Sequence, residues 1–388
     1  MSSRSEIYGC DLAAVTLAFE GGGPERDTVL LCNALAERGV RIVVLVFHEE
    51  GSLRSLLNPA VRVIAVPGQR MRYAVPGLRR VIRALAPRVV LSSGVTNLPT
   101  LTATRTLPRR NRPKLVLREV AVPSMTRHDP YRANRITYRA LRHLYRYADR
   151  IITLTDGTRR ELIENFSVPE AMVSVMRTNA VIPPAMVKEL AQWDGETGRE
   201  HDLIVSVGRL SAEKDQRTLL RAMMLLPPDR PWRLAIVGDG PDRAALEGFV
   251  RSSRLEQRVA FIGRVADPFA WMRKARLLVC SSIFEGLGNS IIEALACGTP
   301  VVATDCPYGP REILQGGRCG VLTPVGDPAA LAGAISAALD QPPDRQSLMR
   351  RGLDYTAARA AARFLEIVDE IAPMSPGTQH TIAVAGAA

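Results

Sequence analysis

The chain has 388 residues, of which 46% are hydrophobic, and its 51 Lys+Arg against 39 Asp+Glu give a formal charge of +12. That length exceeds the size at which one hydrophobic core stays undivided, so two domains are expected. No apolar run reaches the roughly 18 residues of a bilayer-spanning helix and the N-terminus lacks a charged-then-apolar leader, so the chain is expected to stay in the cytoplasm.

Short apolar runs alternate with helical stretches along the whole chain, the pattern of doubly wound α/β layers. In the first half the strands are expected at 12–18, 41–47, 61–66, 88–92, 114–118 and 150–154. After the first of them, Gly21-Gly22-Gly23 open a helix. Their backbone N–H groups can approach a ligand, or the glycines serve only a flexible strand-to-helix turn. The fifth strand runs into Arg118-Glu119-Val120, and His128 follows in a polar loop.

Residues 1–180 hold 28 Lys+Arg against 15 Asp+Glu, so the positive charge is concentrated in the first half. Arg132, Arg135, Arg139, Arg142 and Arg146 recur at three- and four-residue spacing and form one stripe of a helix, with Tyr131, Tyr138 and Tyr145 on a neighbouring stripe. Arginines flanked by aromatics suit an anionic membrane surface or a lipid diphosphate, and equally an ordinary solvated face. No nucleic-acid-binding motif accompanies the charge, so nucleic acid is not an expected partner.

Pro183-Pro184 and the polar run 194–200 interrupt the apolar rhythm. The expected organisation is an N-terminal domain over 1–180, a linker over 181–200, a C-terminal domain over 201–342, final helices over 343–372 that cross back, and a disordered tail over 373–388. In the second half a strand at 203–207 meets a loop opened by Gly208 and a helix starting near Asp215. Arg209 and Lys214 can then converge on one anion; a rigid fork and a mobile point charge together suit a diphosphate, although a solvated loop reads the same way.

Strands follow at 234–237 and 259–263. Gly238-x-Gly240 is similar to a dinucleotide fingerprint, but Arg243 stands where the third glycine belongs, so that match is set aside. Ile262 reads as core as readily as a binding residue. After a strand at 277–280 comes Glu285-Gly286-Leu287-Gly288-Asn289, then Glu293 and Gly298, with Asn289 as the expected N-cap of a helix ending at Gly298. Glu285 thus lies in the turn and Glu293 on the helix. The two carboxylates do not share one proton but touch different parts of an extended ligand, and the helix start between them suits a phosphate. Either Glu alone also reads as an ordinary residue of an α/β layer. Arg311 and Glu312 begin a further helix, facing a ligand or serving as cap and salt bridge. The six cysteines form no C-x-x-C pair and no Asp-x-Asp occurs, so neither a disulfide framework nor a metal site is expected.

Over about residues 203–340 these runs, with Val301 to Leu314, resemble the retaining glycosyltransferases of family 4, in the subgroup that extends lipopolysaccharide, capsule and lipid-linked oligosaccharides. The resemblance implies the GT-B architecture, two Rossmann-like doubly wound α/β domains facing a cleft. It implies a nucleotide-sugar donor, with a UDP-sugar expected. Arg209 and Lys214 then bind the diphosphate, Glu285 lies by the transferred sugar and Glu293 holds the ribose hydroxyls. Gly208, Ile262, Gly263 and Gly286 to Asn289 surround the donor, the base lying near Ile262, Gly263 and Arg264. The resemblance further implies front-face attack with the leaving phosphate as base and no cofactor or metal. The acceptor would be a lipid-linked or cell-surface glycan, met at the inner face of the plasma membrane. Gly21, Gly22 and Gly23 match a loop near the acceptor and donor phosphates. Relatives often carry a His after the strand ending at Leu117; here that His is missing, and Glu119 or His128 is expected in its stead. A sugar-nucleotide epimerase of the same fold and a non-catalytic scaffold are the other two classes. The sugar, the acceptor and the linkage rest on loop contacts that no motif encodes.

Overall fold

The computed structural model describes residues 10–20, 22–67, 73–128, 132–193, 195, 197–227 and 230–372, apart from the side chains of 126–128, 132–135 and 137. The tail from 373, Gly21, Tyr131 and the side chains of His128, Arg132 and Arg135 therefore lie outside the described residues. Two compact units are present. The first holds the described residues up to Thr153, Arg159–Ala180 and those from Ala357 on; the second holds Leu154–Thr158 and Val181–Thr356.

The first unit is built on seven strands, β1 (Leu12–Ala18), β2 (Ile42–His48), β3 (Arg62–Ala65), β4 (Val89–Ser93), β5 (Lys114–Glu119), β6 (Arg150–Thr153) and β7 (Val173–Val175). They run in the order β3-β2-β1-β4-β5-β6-β7, and every ladder is parallel. Parallel strands are covered on both faces, which is why β2 is buried continuously from Ile42 to Phe47. Helices α1 (Gly23–Ala36), α2 (Ala74–Leu85), α3 (Asn97–Arg105), α4 (Arg132–Leu144) and α5 (Asp156–Phe166) follow β1, β3, β4, β5 and β6. Leu45, Val90, Leu117 and Ile151 are fully buried at the centre of this core, each worth about 1.5–3 kcal/mol of apolar burial. The strand order reverses between β1 and β4.

The second unit begins with α6 (Pro184–Gln192), which forms inside the stretch read as a linker because Pro184 takes a first-turn position where no N–H is needed. It continues as β8 (Leu203–Val207), α7 (Gln216–Leu225), β9 (Arg233–Val237), α8 (Arg243–Ser252), β10 (Val259–Gly263), α9 (Pro268–Lys274), β11 (Leu277–Cys280) and α10 (Asn289–Ala296). The last elements are β12 (Val301–Thr304), α11 (Gly309–Ile313), β13 (Val321–Thr323), α12 (Pro328–Asp340) and α13 (Arg345–Gly352). The order is β10-β9-β8-β11-β12-β13, again parallel, with its reversal between β8 and β11. A final helix, α14 (Ala357–Asp369), belongs to the first unit and packs on α1, where Arg38 donates to the Ala358 carbonyl at 2.9 Å.

The expected strands recur within one or two residues, and β10 and β11 coincide with the reading. The three-residue strands β7 and β13 were not anticipated; each lies at a sheet edge, too short for an apolar run to show. One cap differs. Asn289 is the first residue of α10, and Gly288, at φ +102°, takes the cap position that only glycine adopts without strain. Asp215 caps α7 by accepting the Thr218 N–H at 3.2 Å. Among the described residues no helix is long and apolar enough to cross a membrane.

Candidate active site

Open parallel sheets bind ligands beyond the carboxyl ends of their strands, at the point where strand order reverses. In the second unit that point lies between β8, which feeds the loop from Gly208 to Asp215, and β11, which feeds the loop from Ser281 to Gly288. The two loops are joined by an ion pair, with Lys214 Nζ donating to Glu285 Oε1 at 2.6 Å. Glu285 is 7% exposed. Burial disfavours the Lys214 charge, but the adjacent carboxylate outweighs it and holds the lysine above its ordinary value of 10.5. Ser282 Oγ donates to the same carboxylate oxygen at 2.7 Å, and Cys280 Sγ lies 3.7 Å from it. Burial, reinforced by Glu285, pushes the Cys280 thiol up to about 11, so it stays protonated. Backbone ties set the loops before any ligand arrives. Ser281 Oγ donates to the Lys214 carbonyl at 2.9 Å, and the Ile283 N–H to the Glu213 carbonyl at 2.8 Å.

Glycines let these backbones meet. The Gly208 N–H donates to the Val237 carbonyl at 2.9 Å, and a Cβ on Gly238 (φ +139°) would lie 1.9 Å from the Gly208 oxygen. The Gly238-x-Gly240 pair therefore serves loop packing. Gly263 accepts the Gly238 N–H at 2.8 Å, and Ile262 is half-buried at the carboxyl end of β10. Arg209 and Arg264 are exposed on the loops that follow β8 and β10. Glu285 exchanges backbone hydrogen bonds with the 307–308 segment, and Gly309 makes room for the Leu287 carbonyl. Gly286 and Asn289 are half-buried beside the start of α10, Leu287 and Gly288 buried, and Glu293 is 6% exposed within that helix. Arg311 forms a salt bridge with Asp305 at 2.9 Å, and Glu312 accepts the Gly157 backbone N–H at 3.1 Å. Ser281 and Ser282 escaped sequence reading, although two serines directly after a buried strand mark where a loop turns back on its sheet.

The remaining candidates lie in the first unit. Gly22 is the cap residue of α1 and Gly23 its exposed first residue; a Cβ on Gly22 would lie 2.3 Å from Glu25 Oε2, so the Glu25 carboxyl folds onto its own helix start. Glu119 ends β5 and is 6% exposed. It accepts the Tyr145 hydroxyl on Oε2 and the Ala121 N–H on Oε1 at 3.3 Å. Burial pushes Glu119 up, and burial beside Glu119 pushes the Tyr145 phenol well up. Arg118, its neighbour, is fully buried and donates to Ser93 Oγ and Thr28 Oγ1 at 3.0 Å, to the Pro24 carbonyl at 3.3 Å and to Asn179 Oδ1 at 3.4 Å. Sequence reading missed that role, since nothing in a run of residues tells a buried arginine from a solvated one.

The tyrosine stripe needs correction. Tyr138 and Tyr145 turn inward, their rings 5.1 and 5.7 Å from Phe166, so they do not flank the arginines on the outer face. Arg139, Arg142 and Arg146 are exposed, but α4 ends at Leu144, so Arg146 sits in the 3₁₀ turn that follows and not on the helix stripe expected of it. Seven-residue spacing places the tyrosines on one stripe, and the core claims that stripe because Phe166 and Glu119 lie beneath it. Among the described residues no three His, Cys, Asp or Glu side chains are grouped to hold a metal ion.

Comparison with known proteins agrees with this architecture. Residues 21–178 match the family model described as Glycosyltransferase Family 4, and residues 201–341 the model described as Glycosyl transferases group 1. The N-acetylgalactosamine-N,N'-diacetylbacillosaminyl-diphospho-undecaprenol 4-alpha-N-acetylgalactosaminyltransferase of Campylobacter jejuni is 27% identical over 69% of this chain and 70% of its own length. The lipopolysaccharide core biosynthesis glycosyltransferase LpsE of Rhizobium meliloti is 26% identical over 85% of this chain and 89% of its own. Across such curated relatives the chain spans from 19 to 89% of their length, less than two thirds of most. The crystal structure of Anabaena HepE in complex with UDP superposes with a TM-score of 0.71 at 21% identity, covering 93% of this chain and 100% of that one, a likeness of fold. With a different glycosyltransferase model matched by each half, and the two-sheet parallel fold that such enzymes share, the chain belongs to the glycosyltransferases of family 4 and group 1.

Proposed function

We propose that the protein is a retaining hexosyltransferase that moves a sugar from a UDP-sugar to a lipid-linked or cell-envelope glycan. The observation that carries this reading is the pair of half-buried Lys214 and buried Glu285 at the reversal of the second sheet. The bond to be broken runs to a diphosphate, so the leaving group gains negative charge. Lys214, Arg209 and the N–H groups at the start of α10 offset that charge from fixed positions, the kind of electrostatic contribution that dominates such barriers. Glu285 orients the sugar and Glu293 takes the ribose hydroxyls. Ile262 and Gly263 border the base, while Gly208 and the 286–289 turn give the diphosphate backbone room. Attack from the face the leaving group departs from, with its phosphate as base, retains the anomeric configuration. Neutralisation by Lys and Arg makes the reaction independent of a divalent metal.

The names of relatives favour an envelope glycan: one carries a diphospho-undecaprenol acceptor, another acts in lipopolysaccharide core synthesis. The solved HepE complex holds UDP. On this reading Arg139, Arg142 and Arg146 hold the protein at the inner, anionic face of the plasma membrane. Calorimetric titration with UDP, ADP and GDP, followed by turnover of UDP-sugars with and without a chelator, tests it. UDP binding tightest, with turnover that survives chelation and yields the donor's anomer, is the expected result. Tighter ADP or GDP binding, chelator-sensitive turnover, or an inverted product overturns the corresponding part.

A further inference from the structure

The Glu285 carboxylate meets its side-chain partners through one oxygen. Oε1 accepts Lys214 Nζ at 2.6 Å and Ser282 Oγ at 2.7 Å, and Cys280 Sγ lies 3.7 Å from it. Oε2 has no donor among the described residues. A carboxylate whose side chain is only 9% exposed calls for a donor on that second oxygen too, and a sugar hydroxyl is one. We propose that Ser282 is a positioning residue for sugar transfer: by holding Oε1 it aims Oε2 at the donor sugar and so sets which hydroxyl pattern the site accepts. The identity of the ligand rests on the transferase reading above.

The two groups on Oε1 differ in what a donor does to them. Lys214 is charged, its side chain is 26% exposed and it carries three N–H donors, so an arriving diphosphate competes with Glu285 for it. Ser282 is uncharged and 1% exposed, so a diphosphate neither attracts nor reaches it. Its own geometry is fixed from two sides. Thr304 Oγ1, from β12, donates to the Ser282 carbonyl, and the Cys280 thiol, which stays protonated, lies 3.4 Å from Ser282 Oγ and can donate to it. The single hydroxyl proton of Ser282 is thereby left for Glu285. With Lys214 drawn to the diphosphate, Ser282 alone keeps the two carboxylate oxygens distinct. Without it the carboxylate can turn and offer either oxygen. Axial and equatorial hydroxyls approach from different directions, so a fixed carboxylate separates them and a turning one does not. Ser282 is too buried to touch the sugar and acts through Glu285.

Calorimetry on the full chain with UDP, UDP-glucose, UDP-galactose and UDP-N-acetylglucosamine tests this by measuring the sugar advantage, the ratio of each UDP-sugar's affinity to that of UDP. Ser282→Ala is expected to bind UDP as the parent does and to lose about tenfold of the advantage of the preferred sugar, so that the three sugars draw together. Ser282→Cys keeps the shape and donates only weakly, so it should lose the advantage in the same direction and serves if the alanine variant does not melt cooperatively. Adding Ser282→Ala to Glu285→Gln should change the advantage no further, because the serine acts only through that carboxylate. Parallel loss of UDP and UDP-sugar affinity would make the serine merely structural and overturn the proposal. An unchanged advantage in Ser282→Ala, additive losses in the double variant, or a parent for which no sugar improves on UDP would overturn it as well. Turnover separates the two readings: a parent that shows the sugar advantage yet transfers no sugar to a glycan or lipid-linked acceptor overturns the transferase reading and leaves Ser282 its role toward the bound sugar.

Discussion

Lys214 and Glu285 stand 71 residues apart in the chain, yet their 2.6 Å contact spans the gap between the loops of β8 and β11. Neither loop could hold its charged residue there alone. The lysine ends a short 3₁₀ turn whose carbonyl is held by Ser281, and the glutamate is held by Ser282 and by backbone bonds to 307–308. A cation fixed in advance at a ligand crevice is what a diphosphate leaving group requires.

If Lys214 acts on that leaving group, Lys214→Ala is expected to lower kcat by about 10²–10³-fold. It also leaves a buried carboxylate without its cation, so the melt should show a loss of about 1.5–3 kcal/mol, the worth of a hydrogen bond to a charged group. Because Lys214 is raised above 10.5, its contribution to stability should be complete at neutral pH and vanish only as pH climbs through the folded value. Unfolding measured against pH from neutral to strongly alkaline checks the sign. Full UDP release by Lys214→Ala with a competent acceptor would remove it from the mechanism.

Glu293 lies on α10, eight residues beyond Glu285 and buried. If it grips the ribose, Glu293→Gln should weaken UDP and donor binding about tenfold or more while the melt changes little, since the amide keeps the shape and loses only the charge. Calorimetry with UDP decides; equal affinity in parent and variant would free the ribose for another partner.

Gly238→Ala tests the packing beneath the crevice. Its φ of +139° is strained for any side chain, at about 1–3 kcal/mol, and the new Cβ would collide with the Gly208 oxygen. Lower melting temperature together with weaker UDP binding is expected, whereas Gly333→Ala, a helical glycine with nothing near its Cβ, should stabilise slightly. A melt in which both variants match the parent would refute the close approach of the two loops.

The contact between the loops of β8 and β11 was legible in part because its pieces are contiguous: Gly208 to Lys214 follow β8, and Glu285 to Gly288 follow β11 and lead into α10 with Glu293, and glycines, charges and apolar runs announce such loops. A cavity at the carboxyl edge of the first sheet was not legible, since its lining comes from six separated segments between Thr16 and Phe166. Tyr145 shows the reason. Its spacing from Tyr138 fixes a shared stripe, but which stripe turns inward depends on Phe166 and Glu119, and periodicity carries no information about them.

Glu119 offers a test by pH. Burial raises it above its ordinary 4.5, so between the unfolded and folded values the native state holds more protons and stability falls as pH rises through that window. Tyr145 and Glu161 are the titratable groups that act on it. Glu119→Gln removes the titration, at a fixed cost of about 1 kcal/mol for the altered hydrogen bond. Relative to the parent the variant should therefore gain stability as pH rises from the ordinary carboxylate value through the raised folded one. Urea titrations at several pH values that run parallel for the two proteins would show that Glu119 does not titrate abnormally.

The exposed arginines Arg139, Arg142 and Arg146 carry the membrane reading, and the inward turn of Tyr138 and Tyr145 leaves it to rest on charge. Near an anionic surface each arginine contributes about 1 kcal/mol, so losing three should weaken partition onto phosphatidylglycerol vesicles by about two orders of magnitude. Reversing them to Glu should release the protein altogether. Salt should do the same to the parent, because exposed charges are screened beyond about 10 Å at 0.1 M and over shorter distances as salt rises. UDP binding should survive in the triple variant, since its residues lie in the first unit and Lys214 and Glu285 in the second. Co-sedimentation of parent and triple variant with vesicles at low and high salt separates the cases, and equal binding by both proteins would make the stripe a solvated face.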